Sequence, residues 1–363
     1  MPRARDLGIR IGALPTGPTN SVLDIPGVGV GHATLHREEP DPPAGRGVAR
    51  TGVTTVVLAE DAYVRPVPAG GAVLNGAGEC TGFLQAQEWG NAWTPVYLTS
   101  TMQVGRVYDA ACEIELDRDA DVADDVVIPI VAECDDSWLN DCRRMQVTAD
   151  DVRAAHAAAL ATRGATTPPD EGAVGAGTGM SCFDFKGGIG TASRVAGDGH
   201  TVGVLLLTNF GSRDQVVVSG VPVGRLLGEP GGPLRSDLPR PPEGSCIGVV
   251  VTDAPVDGAT CQRLARRIGM GLARTGSVAH NGSGEIFLGF GTGMRHDHDS
   301  RPDRTDLVAG PGLNDLFAAV VEATEEAVLN SMFTAPPTVG KDGNHNESLH
   351  SPHVLALLEG VRS

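Results

Sequence analysis

The chain has 363 residues, 41% of them apolar but only 4% aromatic, and 49 glycines. That is enough apolar mass for a sizeable core, built through small residues and tight turns and not as a helical bundle. The 28 basic residues against 45 acidic ones leave a net charge of −17, which repels phosphate backbones and anionic lipid and argues against nucleic-acid and membrane-surface roles.

In chain order, residues 28–35 and 53–58 read as strands, separated by a Pro/Gly-rich loop over 38–52. Residues 126–132 are a short continuous apolar run, as expected of a strand covered on both faces. The alanines of 150–162 favour a helix, and 202–208 and 216–218 are further strands. From 228 to 244 the chain holds five prolines (230, 233, 239, 241 and 242) and several glycines, the composition of an exposed linker. A buried-type strand follows over 245–252. Residues 259–274 then place Leu264, Ile268 and Leu272 on one helical face, and 286–290 reads as a strand. Asn314 is the expected N-cap of a helix reaching residue 333, with Leu316, Ala319, Val320, Ala323 and Ala327 along one side. Strands and helices occur on both sides of the linker and no internal repeat is found. The expected fold class is α+β: one layered αββα domain, two sheets packed together with helices outside.

Four Gly-Ser pairs occur, at 211, 244, 276 and 282, and only Gly244-Ser245 sits between a proline-rich linker and an apolar strand. One reading is an ordinary turn entering a strand. The other is self-cleavage. The Ser245 hydroxyl would attack the Gly244 carbonyl, which needs a backbone distortion that glycine tolerates and a strand that holds the hydroxyl still. Cleavage would free an α-amine, ordinarily of pKa about 7.7–8.0, able to serve as general base at neutral pH.

Ordered blocks over almost the whole chain resemble the DmpA-type family of self-processing aminopeptidases, which includes L-aminopeptidase/D-esterases and β-aminopeptidases. The blocks are Leu14-Pro-Thr-Gly-Pro-Thr-Asn20, Asp24-Ile-Pro-Gly-Val-Gly-Val-Gly-His32, Leu74-Asn-Gly-Ala-Gly-Glu79, the glycine-rich run from 174 to 193, Gly244-Ser245, Asn281-Gly-Ser-Gly-Glu285 and Leu313-Asn-Asp-Leu-Phe317. The resemblance implies an αββα sandwich akin to the N-terminal-nucleophile hydrolases. Residues 1–244 would become a large subunit and 245–363 a small one. Ser245 would be the nucleophile, Ser283 and Glu285 the pair that orients its amine and relays the proton, and Asn209 an oxyanion donor. Glu133 would bind the substrate's ammonium, which selects free N-termini. The family's tyrosine hydroxyl near this loop has no counterpart in 134–140, where Trp138 is the sole aromatic and is expected to line the substrate site. Lys186 reads either as a surface lysine on a glycine turn or as a cation that lowers the pKa of the new N-terminus.

Other signals carry less. The run 175–179 lacks the Gly-Lys-Ser/Thr ending of a phosphate loop. The histidines at 296 and 298 and in the tail, and the acidic cluster of Asp135, Asp136 and Asp141, lie in polar loops, so no metal and no cofactor are expected. Seven cysteines without a Cys-x-x-Cys pair indicate neither a disulfide framework nor structural zinc. Residues 1–14, interrupted by Arg3, Arg5, Asp6 and Arg10, lack a signal-peptide run, and no stretch approaches the roughly 20 apolar residues of a membrane span. The expected protein is a cytoplasmic homo-oligomer, by resemblance a tetramer, acting on small peptides, amides or esters with a free amine. The alternatives are an acyltransferase of the ornithine-acetyltransferase type, whose nucleophile is threonine, and an uncleaved binding protein.

Overall fold

A computed structural model describes residues 1–228, 244–297 and 307–362. The chain opens with a hairpin, β1 (Gly29–Glu38) and β2 (Val48–Val57), then β3 (Val67–Gly76), α1 (Phe83–Trp89), β4 (Asn91–Ala92) and β5 (Val96–Ser100). Next come α2 (Val104–Arg118), α3 (Val122–Asp125), β6 (Ile130–Cys134) and α4 (Ala149–Ala161). A two-residue hairpin, β7 (Ser181–Cys182) and β8 (Phe185–Lys186), leads into β9 (Gly188–Val195), β10 (Thr201–Asn209) and the short α5 (Val223–Leu227). The remainder carries β11 (Ser245–Thr252), α6 (Gly258–Arg274), β12 (Gly284–Gly291), α7 (Gly312–Phe333) and α8 (Pro352–Arg362).

The strands form a four-stranded sheet, β1-β2-β5-β6, and a six-stranded one, β4-β3-β12-β11-β10-β9. Alternation along the strands separates three apolar clusters. Leu205, Leu207, Ile247, Val249 and Leu288 of the larger sheet meet Val30, Val56, Leu98 and Ala132 of the smaller one. The odd-man-out positions, Val204, Val250 and Phe287, face outward against Leu264 and Ile268 of α6 and Leu316 and Val320 of α7. The far side of the small sheet packs Val53, Tyr97 and Val131 on Val107 and Ala111 of α2 and Val152 and Ala155 of α4. This is the αββα sandwich. Each large apolar side chain buried in these layers contributes about 1.5–3 kcal/mol. It also explains the continuous apolar reading of β11, which runs parallel to β12 and antiparallel to β10 with cover on both faces.

Several expectations are corrected. The loop over 38–52 is shorter, because β1 runs to Glu38 and β2 starts at Val48. The apolar run 126–132 becomes strand only from Ile130; Val126 has φ +40° and ends α3 instead. Residues 216–218 form no strand but a turn closed by a Val218–Val221 bridge. Helix α7 begins at Gly312 with Pro311 before it, so Asn314 lies inside the helix and caps nothing. Helix α4 is capped by Thr148, whose side chain exchanges hydrogen bonds with Asp151. The expected linker, apart from its ends Gly228 and Gly244, and His298 of the His-Asp run lie outside the described residues.

Candidate active site

Ser245 is the first residue of β11, and alternation puts its side chain on the same face as Ile247 and Val249, between the sheets. Cys134, at the end of β6 in the facing sheet, meets the Ser245 hydroxyl there, and burial drives its thiol well above the usual range. On one side Ser245 pairs with Asn209 of β10, and on the other with Gly284 of β12. The site therefore forms where three neighbouring strand ends of the large sheet meet the end of β6. Ser245, Ser283, Glu285, Asn209 and Glu133 are between 0% and 5% exposed, so charge developing among them is poorly screened.

The Ser245 Oγ has no hydrogen-bond partner among the described residues. The carbonyl before it, Gly244 O, accepts the Gly284 N–H at 3.1 Å. Gly244 itself is enforced by space: a Cβ there would lie 1.5 Å from Asn209 O and 3.1 Å from Asn209 Nδ2. The Asn209 amide is fixed at both ends. Its Oδ1 accepts the Ser181 N–H at 2.8 Å, and its Nδ2 donates to Asp135 O at 2.8 Å. One Nδ2 proton remains for an oxygen beside Ser245.

Ser283 Oγ donates a short hydrogen bond to Glu285 Oε1, while Glu285 Oε2 has no partner among the described residues. Burial raises the Glu285 carboxyl above its ordinary value; the Ser283 bond and the nearby His280 oppose that. Glu133 Oε1 accepts the Glu79 N–H at 2.9 Å, and Oε2 accepts the Thr101 hydroxyl. Burial raises this carboxyl too, against those two donors. A methyl group placed on Gly78 would stand 3.1 Å from Glu133 Oε1 and 3.9 Å from Gly284 Cα, which sets the Glu133 carboxylate beside the strand that flanks Ser245.

Lys186 is neither on the surface nor hydrogen-bonded to Ser245. It is fully buried, and its Nζ donates to Gly177 O, Met180 O and Gly187 O at 2.9, 2.8 and 2.7 Å. Burial lowers its pKa to about 7, opposed by charge at Cys182. Its place is to pin the turn whose Ser181 N–H orients Asn209. Trp138 is half-buried, its carbonyl accepts Asn344 Nδ2 at 2.9 Å, and its Nε1 is buried without an acceptor among the described residues. Asp135 turns its carboxylate back onto Ser137, and Asp141 pairs with Arg143 and Arg144. Among the described residues no three His, Cys, Asp or Glu side chains are placed to hold a metal ion together.

Sequence reasoning missed Thr101, which directly follows a strand it did not find (β5), and Gly284 as a hydrogen-bond donor, although that glycine lay inside a quoted motif. It also missed Asn75, whose Nδ2 reaches the carbonyls of His280 and Asn281 at 2.9 and 3.1 Å and that of Ser283, and so shapes the turn ahead of β12.

A serine at the head of a central strand of an αββα sandwich, behind a glycine carbonyl already held by a donor, defines a hydrolase of the serine N-terminal-nucleophile type. The chain belongs to peptidase family S58, whose model matches residues 20–346. It is 36% identical over 375 residues to the beta-peptidyl aminopeptidase BapA of Sphingosinicella microcystinivorans, covering 99% of this chain and 93% of that protein. Among solved structures it superposes on a Burkholderia sp. beta-aminopeptidase with TM-score 0.85 at 38% identity, over 99% of each chain. It matches the L-aminopeptidase D-Ala-esterase/amidase of Ochrobactrum anthropi, which has a variant of the Ntn-hydrolase fold, with TM-score 0.87 at 35% identity, over 100% of this chain and 99% of that one.

Proposed function

We propose that the chain is an aminopeptidase that cuts itself between Gly244 and Ser245 and then hydrolyses N-terminal residues from small peptides, amides or esters bearing a free amine. The observation that carries this is the unpartnered Ser245 Oγ behind a Gly244 carbonyl that accepts the Gly284 N–H. In the cut, Oγ attacks the Gly244 carbonyl carbon. The Gly284 N–H and the free Nδ2 proton of Asn209 face the developing oxyanion. The Gly244–Ser245 C–N bond breaks as the Ser245 nitrogen takes the Oγ proton, so the amide becomes an ester with a free amine, and water hydrolyses that ester to the Gly244 carboxylate and the Ser245 hydroxyl.

In turnover, that amine accepts the Oγ proton as Oγ attacks the substrate carbonyl. Ser283 orients the amine, and the Glu285 carboxylate behind it offsets the positive charge that develops on that amine. As the intermediate collapses, the Ser245 ammonium passes that proton to the leaving amine or alcohol, which departs and leaves an acyl-enzyme on Ser245. Water, deprotonated by the same amine, then hydrolyses the ester to the free acid and restores the Ser245 hydroxyl. Glu133, beside Gly78, pairs with the substrate's ammonium. We assign the half-buried Trp138 to substrate contact at this end on its place in the loop after Glu133. The threonine-dependent acyl-transfer alternative is not favoured, since the residue at the cut is serine and the relatives are aminopeptidases.

Ser245→Ala tests the reading. Intact-mass analysis of the wild type is expected to give fragments of 244 and 119 residues (363 − 244), and the variant one inactive chain. Peptidase activity at the wild-type level in Ser245→Ala would place the nucleophile elsewhere.

The proposal extends to a cytoplasmic homo-oligomer, a tetramer of cleaved protomers. Among the described residues, β3 beyond Pro68 has no strand on its outer side and exposes Val73 and Leu74, an apolar edge that a second copy would cover. Light scattering that returns the mass of one cleaved protomer rejects the oligomer.

A further inference from the structure

The turn that delivers Ser283 is held from outside its own strand. Ser283 N–H donates to His280 O at 2.9 Å, and Asn75 braces the same carbonyl. Just before it, Ala279 sits at φ +50°, a left-handed conformation that costs a non-glycine residue on the order of 1–3 kcal/mol. Such strain persists only where the surroundings impose it. Here they do: Val217 N–H donates to Thr275 O at 2.8 Å, and a Cβ on Gly276 would lie 1.9 Å from Gln215 O. Residues 275–280 are therefore clamped against 215–217.

The clamp ends in a side-chain pair. Gln215 Nε2 lies 3.0 Å from His280 Nε2. Gln215 Oε1 is already occupied by the Ser212 N–H at 3.1 Å, so the amide presents its N–H to the ring. His280 Nε2 must then accept, which leaves the imidazole neutral with its proton on Nδ1. Protonating Nε2 would set two donors face to face and break the bond. The ring's partner Gln215 and the Asn75 amide on the His280 carbonyl are both neutral, and Glu285 on β12 is a charged group close enough for its carboxylate to respond to a His280 charge.

We infer that His280 is a positioning residue: Gln215 holds it neutral, which keeps the Ser283 turn in place and Glu285 free to take part in the relay, and its protonation shuts the relay down. This rests on the reading of Ser283 and Glu285 as that relay. The pair also spans the proposed cut, since Gln215 belongs to the large fragment and His280 to the small one, so the relay is set by a residue on the other subunit. A cation on His280 would stabilise the Glu285 anion and weaken it as a proton acceptor.

Gln215→Glu tests this while keeping a hydrogen-bonding side chain of the same size. The new carboxylate would hold a proton on His280 Nε2, so the acid limb of kcat for alanine p-nitroanilide is expected to move up by about one pH unit, with KM within about twofold, as one pKa step corresponds to a tenfold change in the charged fraction. In a His280→Gln background, which keeps an acceptor that cannot charge, kcat is expected to fall a few-fold and Gln215→Glu to move the limb no further. An unmoved limb in the single variant, or the same shift in the double variant, overturns the inference. Ser283→Ala and Glu285→Gln, measured alongside, separate the two claims: if both retain wild-type kcat the relay itself is wrong, and if both lose activity while the limb stays still only the role of His280 is.

Discussion

Gly244→Ala is the sharpest test of how the site is built, because its effect can be worked out from space alone. A Cβ at this position would meet Asn209 O at 1.5 Å and Asn209 C at 2.6 Å, where ordinary contact begins at 3.4 Å. Strands β10 and β11 must therefore part by about 1.9 Å (3.4 − 1.5) at the Asn209–Ser245 pair, the proposed amide donor and nucleophile. The same movement pushes Gly244 toward β12 on its other side and distorts the bond from the Gly284 N–H to Gly244 O, now at 3.1 Å. A misplacement of 1 Å costs about 10²-fold, and loss of one oxyanion donor about 10²–10³-fold. Self-cleavage of Gly244→Ala is therefore expected to be slower by ~10²-fold or more. A gel time course on freshly purified protein reads the rate, and circular dichroism melting confirms that the chain folds. A folded Gly244→Ala protein that cuts at the wild-type rate refutes the geometric argument.

Glu133→Gln is expected to raise KM more than it lowers kcat, because the ammonium contact exists before the transition state as well as in it. Acetylated alanine p-nitroanilide turned over as fast as the free amine would remove that role. Lys186→Met takes the ammonium from Gly187 O and leaves Met180 O and Gly177 O with only the N–H groups of Gly187 and Met180. At about 1–3 kcal/mol for an orphaned group the variant is expected to lose ~1–3 kcal/mol in urea unfolding, and an unchanged midpoint would mean the turn is not held by its ammonium. Asp136 is fully buried, accepts from Ser100 Oγ and Asn140 Nδ2, and has its carboxyl raised by burial from 3.8 to about 6. A folded-state pKa above the unfolded one means that the extra proton stabilises fully below 3.8 and that this stability is lost as pH rises through about 6. The stability difference between wild type and Asp136→Asn is therefore expected to shift against the wild type by ~3 kcal/mol between about pH 3.5 and pH 6.5, and a flat difference counts against a buried titrating carboxyl.

What was legible in the sequence were features whose cause is local. The strand 245–252 reads correctly because a chain covered on both faces must be apolar at every position. Helix α6 reads correctly because Leu264, Ile268 and Leu272 repeat on one face. Strand β3 was invisible: Pro68, Gly70, Gly71 and Gly76 oppose strand propensity. Tertiary contacts decide it, since a Cβ on Gly70 would lie 2.5 Å from the Gln262 N on α6 and one on Gly71 would lie 2.3 Å from the Phe83 ring. One of the two readings of Lys186, a surface lysine on a glycine turn, fails for a related reason. A glycine turn looks exposed, and nothing in the run 183–188 shows that carbonyls of 177, 180 and 187 converge on one point. The site residues themselves were reached through ordered motifs, whereas Gln215 carries no motif and becomes visible only once its amide faces His280.

The buried polar atoms left open at this end of the sandwich have a common explanation. Ser245 Oγ and Glu285 Oε2 have no hydrogen-bond partner among the described residues, and a buried group in that state costs about 1–3 kcal/mol. In the continuous chain the nitrogen of Ser245 is an amide and cannot accept a proton. Once the Gly244–Ser245 bond is cut, the same nitrogen becomes an amine with a lone pair and, when protonated, three donors. It can then accept from its own Oγ and, through Ser283, place positive charge against Glu285. On the proposed reading, the cost borne by the uncut chain would be relieved by the product of the cut, and one set of atoms would serve cleavage first and turnover afterwards.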